Sequence, residues 1–280
     1  MPALTDRAYV ESLLQRHGFS FSKALGQNFL LNPTVCPRMA QACGATPESG
    51  VLEIGPGIGV LTRELAKCAG KVVAIELDQR LQPVLSETLA DCPNVEICFG
   101  DAMKLDLAAL IREKFGDRPV SVCANLPYYI TSSLLMRLLE EQLPIQNITV
   151  LVQKEAAVRL CAAPGTRESG AVTLAVAYHA QAQRLFHVSA GSFIPAPKVD
   201  STVISLNIRP QPPVDTDPKK LFAVIRAAFG QRRKTLCNAL QAAGYAKAAV
   251  LQALEQMGLP STARAEQLTL EQMACLAEQL

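Results

Sequence analysis

Short apolar runs alternate with longer stretches of helical spacing through the first half of the chain. Residues 51–54, 72–76, 95–99, 120–124 and 148–152 are the runs, each four or five mostly apolar positions. That pattern predicts strands buried on both faces. Between the runs lie residues 60–68, 79–90, 107–115 and 132–141, with apolar side chains three and four apart. These predict amphipathic helices that each lay one stripe on a sheet. Strand–helix alternation of this kind joins parallel neighbours through crossover helices. Further on, residues 184–188 and 201–208 are β-rich and flank the Gly/Pro-rich 190–197, which predicts an antiparallel edge hairpin.

Composition changes at Arg209-Pro210-Gln211-Pro212-Pro213, an extended linker by its prolines. Residues 218–280 are rich in Ala, Leu and Gln, with Gly244 and Gly258 as breaks, and predict three or four short helices. The expected architecture is an α/β domain over residues 1–209 followed by a small helical domain over 210–280.

The 49% of hydrophobic residues suffices for a well-formed core, and no tract is biased enough for disorder. Apolar runs such as 148–152 are far too short to span a bilayer. The first residues carry Asp6, Arg7, Glu11 and Arg16 without the apolar centre of a secretory leader, so a cytoplasmic protein is expected. Nine cysteines without a C-x-x-C pair, and His17, His179 and His187 scattered apart, suggest reduced core thiols and no metal site. The net charge is only +2; after residue 209 eight Lys/Arg face six Asp/Glu, and through residue 209 the signs balance at nineteen each. Any contact with nucleic acid therefore rests on local clusters.

Candidate chemistry sits at the ends of the predicted strands. Glu53-Ile54-Gly55-Pro56-Gly57-Ile58-Gly59 follows the first run and opens a helix. Gly55 and Gly57 let a ligand approach the backbone, and the helix N-terminus offers free N–H groups. A plain tight turn is the alternative, since G-x-G-x-G matches the dinucleotide fingerprint only in part. Glu76 ends the second run, twenty-one residues after Gly55, where an acid can accept from both hydroxyls of a ribose. Capping the next helix is its other possible role, one that Asp78 fits better. Asp101, after Gly100, is either an acceptor for an adenine amino group or a turn residue.

The fourth run ends in Asn125-Leu126-Pro127-Tyr128. The Asn125 side-chain oxygen and a main-chain oxygen near Pro127 can accept from an exocyclic amino group, and Tyr128 can stack on the attached ring. Two fixed acceptors would turn the delocalised nitrogen lone pair toward an electrophile. An Asx or proline turn is the structural alternative. Yet four consecutive strands each deliver a polar group to one sheet edge, where ligands of open α/β sheets bind. A nucleoside-bearing cofactor explains that better than four incidental turns. NAD and S-adenosylmethionine both fit the glycine loop and acid; the Asn motif serves methylation of an amino group and has no use in hydride transfer. No general base is present beyond a phenol, so positioning and electrostatics would carry catalysis.

Leu25-Gly26-Gln27-Asn28-Phe29-Leu30, residues 53–59, Ile75-Glu76-Leu77-Asp78, Gly100-Asp101, residues 125–129, 193–201 and 228–236 form an ordered set spanning nearly the whole chain. With them the sequence resembles the bacterial small-subunit (16S) ribosomal RNA adenine N6,N6-dimethyltransferases. The resemblance implies a Rossmann-like S-adenosylmethionine-dependent sheet and dimethylation of two adjacent adenosines in the 3′-terminal hairpin loop of 16S rRNA in the assembling 30S subunit, a step of ribosome biogenesis. It implies cofactor contacts from Asn28, Leu30, Gly55, Glu76, Asp101 and Asn125. The Pro127 carbonyl would be the second acceptor, and Phe193 would face Tyr128 across an extruded base. On residues alone Phe193 reads first as a core plug and Asn28 as a loop cap, and Lys198 is equally a phosphate contact or a solvated charge. Asn32 ahead of Pro33 is the natural N-cap of the helix that follows.

Gln231-Arg232-Arg233-Lys234 is placed on a predicted helix, where Arg232, Arg233 and Lys234 would contact RNA backbone as a group; a solvated face is the alternative. Tyr129 stands where this family commonly has Asn. The partners implied are 16S rRNA and the 30S precursor, with no membrane, no metal and a monomeric enzyme. The rivals are the 23S rRNA adenine methyltransferases of macrolide resistance and a non-catalytic assembly or transcription factor on the same fold. The former typically have Ile where this chain has Leu126.

Overall fold

Each apolar run becomes a strand in the computed structural model, which describes residues 3–22, 25–231 and 233–280. The strands are β1 (Phe29–Leu30), β2 (Gly50–Ile54), β3 (Lys71–Glu76), β4 (Val95–Phe99), β5 (Val120–Asn125), β6 (Ile145–Gln153), β7 (Ala180–Val188), β8 (Phe193–Ile194) and β9 (Ser201–Ile208). The helices before residue 180 are α1 (Arg7–Arg16), α2 (Val35–Ala42), α3 (Val60–Cys68), α4 (Gln82–Thr88), α5 (Leu107–Phe115), α6 (Thr131–Glu140), α7 (Lys154–Leu160) and α8 (Ala171–His179). After β9 come α9 (Pro218–Phe229), α10 (Leu236–Ala242), α11 (Lys247–Gln256) and α12 (Leu270–Gln279).

The main sheet has the order β4-β3-β2-β5-β6-β9-β7. From β4 to β6 every pairing is parallel, and β9 runs antiparallel to β6. Chain order reverses between β2 and β5, so a crevice opens at their carboxyl ends, the usual place for a ligand. Ile54 lies beside Ile75 on β3 and Ala124 on β5. That register brings Gly55, Glu76 and Asn125 to one edge.

The chain divides into two compact units. Residues 1–157 and 183–208 form the first; Val158–Ala182 joins Arg209–Leu280 in the second. The expected boundary at 209/210 therefore misses an inserted piece of the second unit. The reason lies in α8, whose sequence Ala-Val-Thr-Leu-Ala-Val-Ala-Tyr-His is apolar all round and must be buried. Its Leu174 and Tyr178 share a core with Leu221, Ile225, Leu240, Leu254 and Met273 of the later helices. Gly244 (φ +99°) and Gly258 (φ +67°) follow α10 and α11 in the left-handed conformation, ending both helices.

In the first unit, α2 and α3 cover one face of the sheet, where Met39, Leu61 and Leu65 pack on Val51, Cys123 and Leu151. Each such side chain contributes about 1.5–3 kcal/mol by leaving water. A second cluster joins Val10 and Leu13 of α1 to Phe29, Ile58, Leu81, Leu85 and Ile194. The helix expected over 79–90 is split: a 3₁₀ turn, Gln79–Leu81, precedes α4, whose first turn holds Pro83. Thr34 stands at the N-cap position of α2 without a side-chain capping bond, and the Asn32 carboxamide ahead of Pro33 accepts from the Thr34 N–H at 3.0 Å and its hydroxyl at 2.9 Å, holding the turn before the helix.

Of the nine cysteines, Cys36, Cys43, Cys123 and Cys237 are buried. No helix among the described residues is long and apolar enough to cross a membrane.

Candidate functional site

An open cavity of about 1040 Å³, mouth included, lies at the carboxyl ends of β2, β3, β4 and β5. It is lined by Asn28, Leu30, Gly55, Gly57, Glu76, Asp101, Asn125, Pro127 and Tyr128 among others. Every expected cofactor residue is thus gathered in one place, together with Pro127 and Tyr128, whereas Phe193 and Lys198 do not line it.

The glycine loop is shaped by its backbone. Gly55 (φ +74°) and Gly57 (φ +58°) occupy the left-handed region, which costs other residues roughly 1–2 kcal/mol. A Cβ on Gly57 would stand 3.0 Å from the Phe29 ring. On Gly55 a Cβ would meet nothing nearer than the Asn125 carbonyl at 4.0 Å, so it would occupy cavity space that a ligand needs. The loop is tied to β3 through Glu76: the Gly57 N–H donates to Oε2 at 3.2 Å, and the Asp78 N–H donates to Oε1 at 2.8 Å. Burial raises the Glu76 carboxyl above its ordinary pKa, and those N–H groups hold the rise in check. Asp78 takes the capping role, accepting from the Arg80 N–H, and the Arg80 guanidinium lowers its pKa.

The Asn125 motif is held from the N-terminal arm. Its side-chain N–H donates to the Asn28 carbonyl at 3.1 Å. That bond sets the orientation of the carboxamide, and Oδ1 has no protein partner among the described residues. Asn28 in turn donates to the Gly26 carbonyl at 2.9 Å. The Tyr128 hydroxyl meets the Ser201 hydroxyl at 2.8 Å, and burial raises its pKa.

Three expectations are corrected. The Pro127 carbonyl already accepts from the Ile130 N–H at 3.2 Å and the Thr131 hydroxyl at 3.1 Å, so both its lone pairs are engaged. Phe193 is only 1% exposed and lies in the core with Leu30, Val35 and Met39, pairing with Leu30 across β1 and β8. A ring so covered has no free face for a base. Gln231, Arg233 and Lys234 lie in the turn between α9 and α10, not on a helix, because α9 ends at Phe229 with Gly230 as its C-cap and Thr235 caps α10. Arg233 and Lys234 are exposed there, as is Lys198; Arg232 lies outside the described residues.

Five residues to which the sequence assigned no role support the site. Gln27 accepts from the Ser22 N–H and donates to Asp78 Oδ2, fastening the arm to the end of β3. Arg137 of α6 donates to the Ala102 and Leu105 carbonyls, fixing the loop that carries Asp101. Glu53 and Cys36 line the cavity from beneath. Tyr129, 58% exposed, stands at the mouth, where a Cβ on Gly26 (φ +59°) would lie 3.3 Å from its ring. None of these contacts leaves a periodic or local signal, since the partners are distant in sequence.

A Rossmann-like sheet with an open cavity at its switch point marks the chain as an S-adenosylmethionine-dependent methyltransferase. Solved structures agree. The chain is similar to the 23S rRNA methyltransferase ErmE, with a TM-score of 0.68 and 27% identity over 90% of this chain and 99% of that one. It is also similar to a dimethyladenosine transferase from Plasmodium falciparum, with a TM-score of 0.72 and 25% identity over 89% and 95%. The chain belongs to the ribosomal RNA adenine dimethylase family, whose model matches residues 18–280. Among curated relatives it is 42% identical to ribosomal RNA small subunit methyltransferase A of Alkaliphilus metalliredigens, over 100% of this chain and 99% of that protein. To the protein of the same name from Anoxybacillus flavithermus it is 45% identical, over 96% and 94%.

Proposed function

We propose that this methyltransferase dimethylates N6 of two adjacent adenosines in the 3′-terminal hairpin loop of 16S rRNA, on the assembling 30S subunit in the cytoplasm, and acts as a monomer. Relatives at 40–45% identity carry the small-subunit name, whereas ErmE is 27% identical; this supports the small-subunit reading over the macrolide-resistance one. Leu126 in the Asn motif points the same way.

Asn28, Leu30, Gly55, Gly57, Glu76 and Asp101 hold the cofactor, with Glu76 toward the ribose hydroxyls and Asp101 toward the adenine. When bound, S-adenosylmethionine supplies an electrophilic methyl group. The observation that carries the mechanism is the Asn125 carboxamide, whose N–H is anchored on Asn28 while Oδ1 stays open. Oδ1 accepts from the substrate amino group. With the Pro127 carbonyl engaged, the neighbouring Leu126 carbonyl, which accepts none of the turn's hydrogen bonds, is the second acceptor. Tyr128 stacks on the base, and the exposed Tyr129 ring supplies the face that Phe193 does not. The amino proton leaves to solvent. Lys198, Arg232, Arg233 and Lys234 contact phosphates, which affects affinity and its salt dependence more than sequence choice.

Purified protein, labelled methyl donor and precursor particles of each subunit test the proposal, with mass spectrometry locating the mark. Label in the 3′-end fragment of 16S rRNA is expected. Label only in 23S rRNA supports the macrolide-resistance reading, and none in any RNA supports a non-catalytic factor.

A further inference from the structure

Glu53 is a buried acid that the mechanism above leaves unused. It lies on the central strand β2 with 1% of its surface exposed, and its Oε2 has no hydrogen-bond partner among the described residues. Its neighbours in register are Ala74 on β3 and Cys123 on β5. Residues 51 and 53 share a face of the strand, and Val51 and Cys123 belong to the cluster with α2 and α3. Glu53 therefore sits under the glycine loop, on the floor of the cofactor cavity.

The groups facing it are acids and thiols. The Thr62 hydroxyl of α3 is near enough to ease ionisation, more than Glu76 of β3 opposes it, but makes no hydrogen bond of normal geometry. Cys36 of α2 feels both Glu53 and Glu64, while Cys123 feels Cys43, Glu53 and Cys36; all of these influences push the thiols toward their neutral forms. No cation acts on Glu53 among the described residues. Burial, reinforced by Glu76, raises its carboxyl to about 8, so the ligand-free protein holds it as the neutral acid at pH 7. A buried carboxyl with an orphaned oxygen is expensive to keep, and a leucine here would pack without that cost. The local deficit is of positive charge. S-adenosylmethionine carries a sulfonium; the product, S-adenosylhomocysteine, has a neutral thioether in its place.

We propose that Glu53 distinguishes the charged cofactor from the neutral product, its carboxyl releasing a proton to solvent when the sulfonium occupies the cavity and taking one back when the thioether remains. This rests on the reading of the cavity as the cofactor site. Glu53 thus favours exchange of spent product for fresh cofactor, and does so more strongly as the pH rises. The preference for S-adenosylmethionine over S-adenosylhomocysteine grows by up to about tenfold per pH unit below about pH 8 and levels off above it.

Isothermal titration of the full chain, in buffers of low and high ionisation enthalpy, counts protons released on binding. S-adenosylmethionine and sinefungin, which has an amine-bearing carbon in place of the sulfonium, are expected to release more protons than S-adenosylhomocysteine near pH 7. The ligands' shared α-amino group also titrates near pH 8, so the comparison is repeated with Glu53→Gln. In that variant the excess vanishes and the affinity ratio becomes flat with pH. If the variant does not fold, the three ligands on the wild-type chain decide the matter alone. Equal proton release by charged and neutral ligands, or an excess that persists in Glu53→Gln, overturns the role of Glu53 and leaves the cofactor site standing. Failure of S-adenosylmethionine to bind at all overturns both.

Discussion

Replacing Glu53 by Gln should stabilise the ligand-free protein, increasingly so with rising pH. The native carboxyl is raised from 4.5 to about 8, chiefly by burial. An acid raised on folding binds its proton more tightly in the native state. Its contribution is therefore fully favourable below the unfolded pKa and is lost as pH climbs from about 4.5 to about 8. At pH 4 wild type and variant should differ little through this group. By pH 7 the unfolded chain has ionised Glu53 while the native chain has not, across about 2.5 pH units. At 1.36 kcal/mol per unit this is about 3 kcal/mol in favour of Gln, levelling near 5 kcal/mol above pH 8. The Gln amide brings its own buried polar atoms, an offset that does not vary with pH, so the slope carries the test. Urea unfolding followed by circular dichroism between pH 4 and 9 measures it. Parallel pH profiles for the two proteins would show that Glu53 is not a buried neutral acid.

Asn125→Ala should retain cofactor binding by calorimetry while single-turnover methylation falls by a factor on the order of 10² or more, the usual cost of removing a positioned polar contact; near-normal turnover refutes the orienting role. Arg137→Ala removes three hydrogen bonds, to the Ala102 and Leu105 carbonyls and to Glu141. Weaker cofactor binding, by roughly 1–2 kcal/mol, is expected, with little change in turnover at saturation; unchanged affinity would mean the Asp101 loop holds itself. Lys198→Ala and the pair Arg233→Ala/Lys234→Ala should lower RNA affinity and flatten its salt dependence by about one unit of log slope for each phosphate no longer neutralised. A filter-binding series in salt checks this, and an unaltered slope would assign those cations to solvent.

Much of the first unit was legible because a parallel sheet writes itself locally. The runs at 95–99 and 201–208 match β4 and β9 end to end, and 51–54 differs from β2 by one residue. Burial on both faces demands apolar residues in succession, and covering helices demand a stripe every three or four. Gly55, Glu76, Asp101 and Asn125 were legible for the same reason: each ends a strand or stands within two residues of its end. What escaped were pairings of distant segments. Two-residue strands such as β1 and β8, with Leu30 against Phe193, are too short for any period.

From sequence alone came the α/β class, the sheet edge that carries chemistry, and Gly55, Glu76, Asp101 and Asn125 on it, because each of these follows from a strand's own pattern and what comes next in the chain. The tertiary structure alone decided which groups are still available. It engaged the Pro127 carbonyl, buried the Phe193 ring, drew residues 158–182 into the second unit, and left Glu53 with an unpaired oxygen. Hydrogen-bond saturation and burial depend on what other segments fold against a residue, and no local pattern encodes those partners.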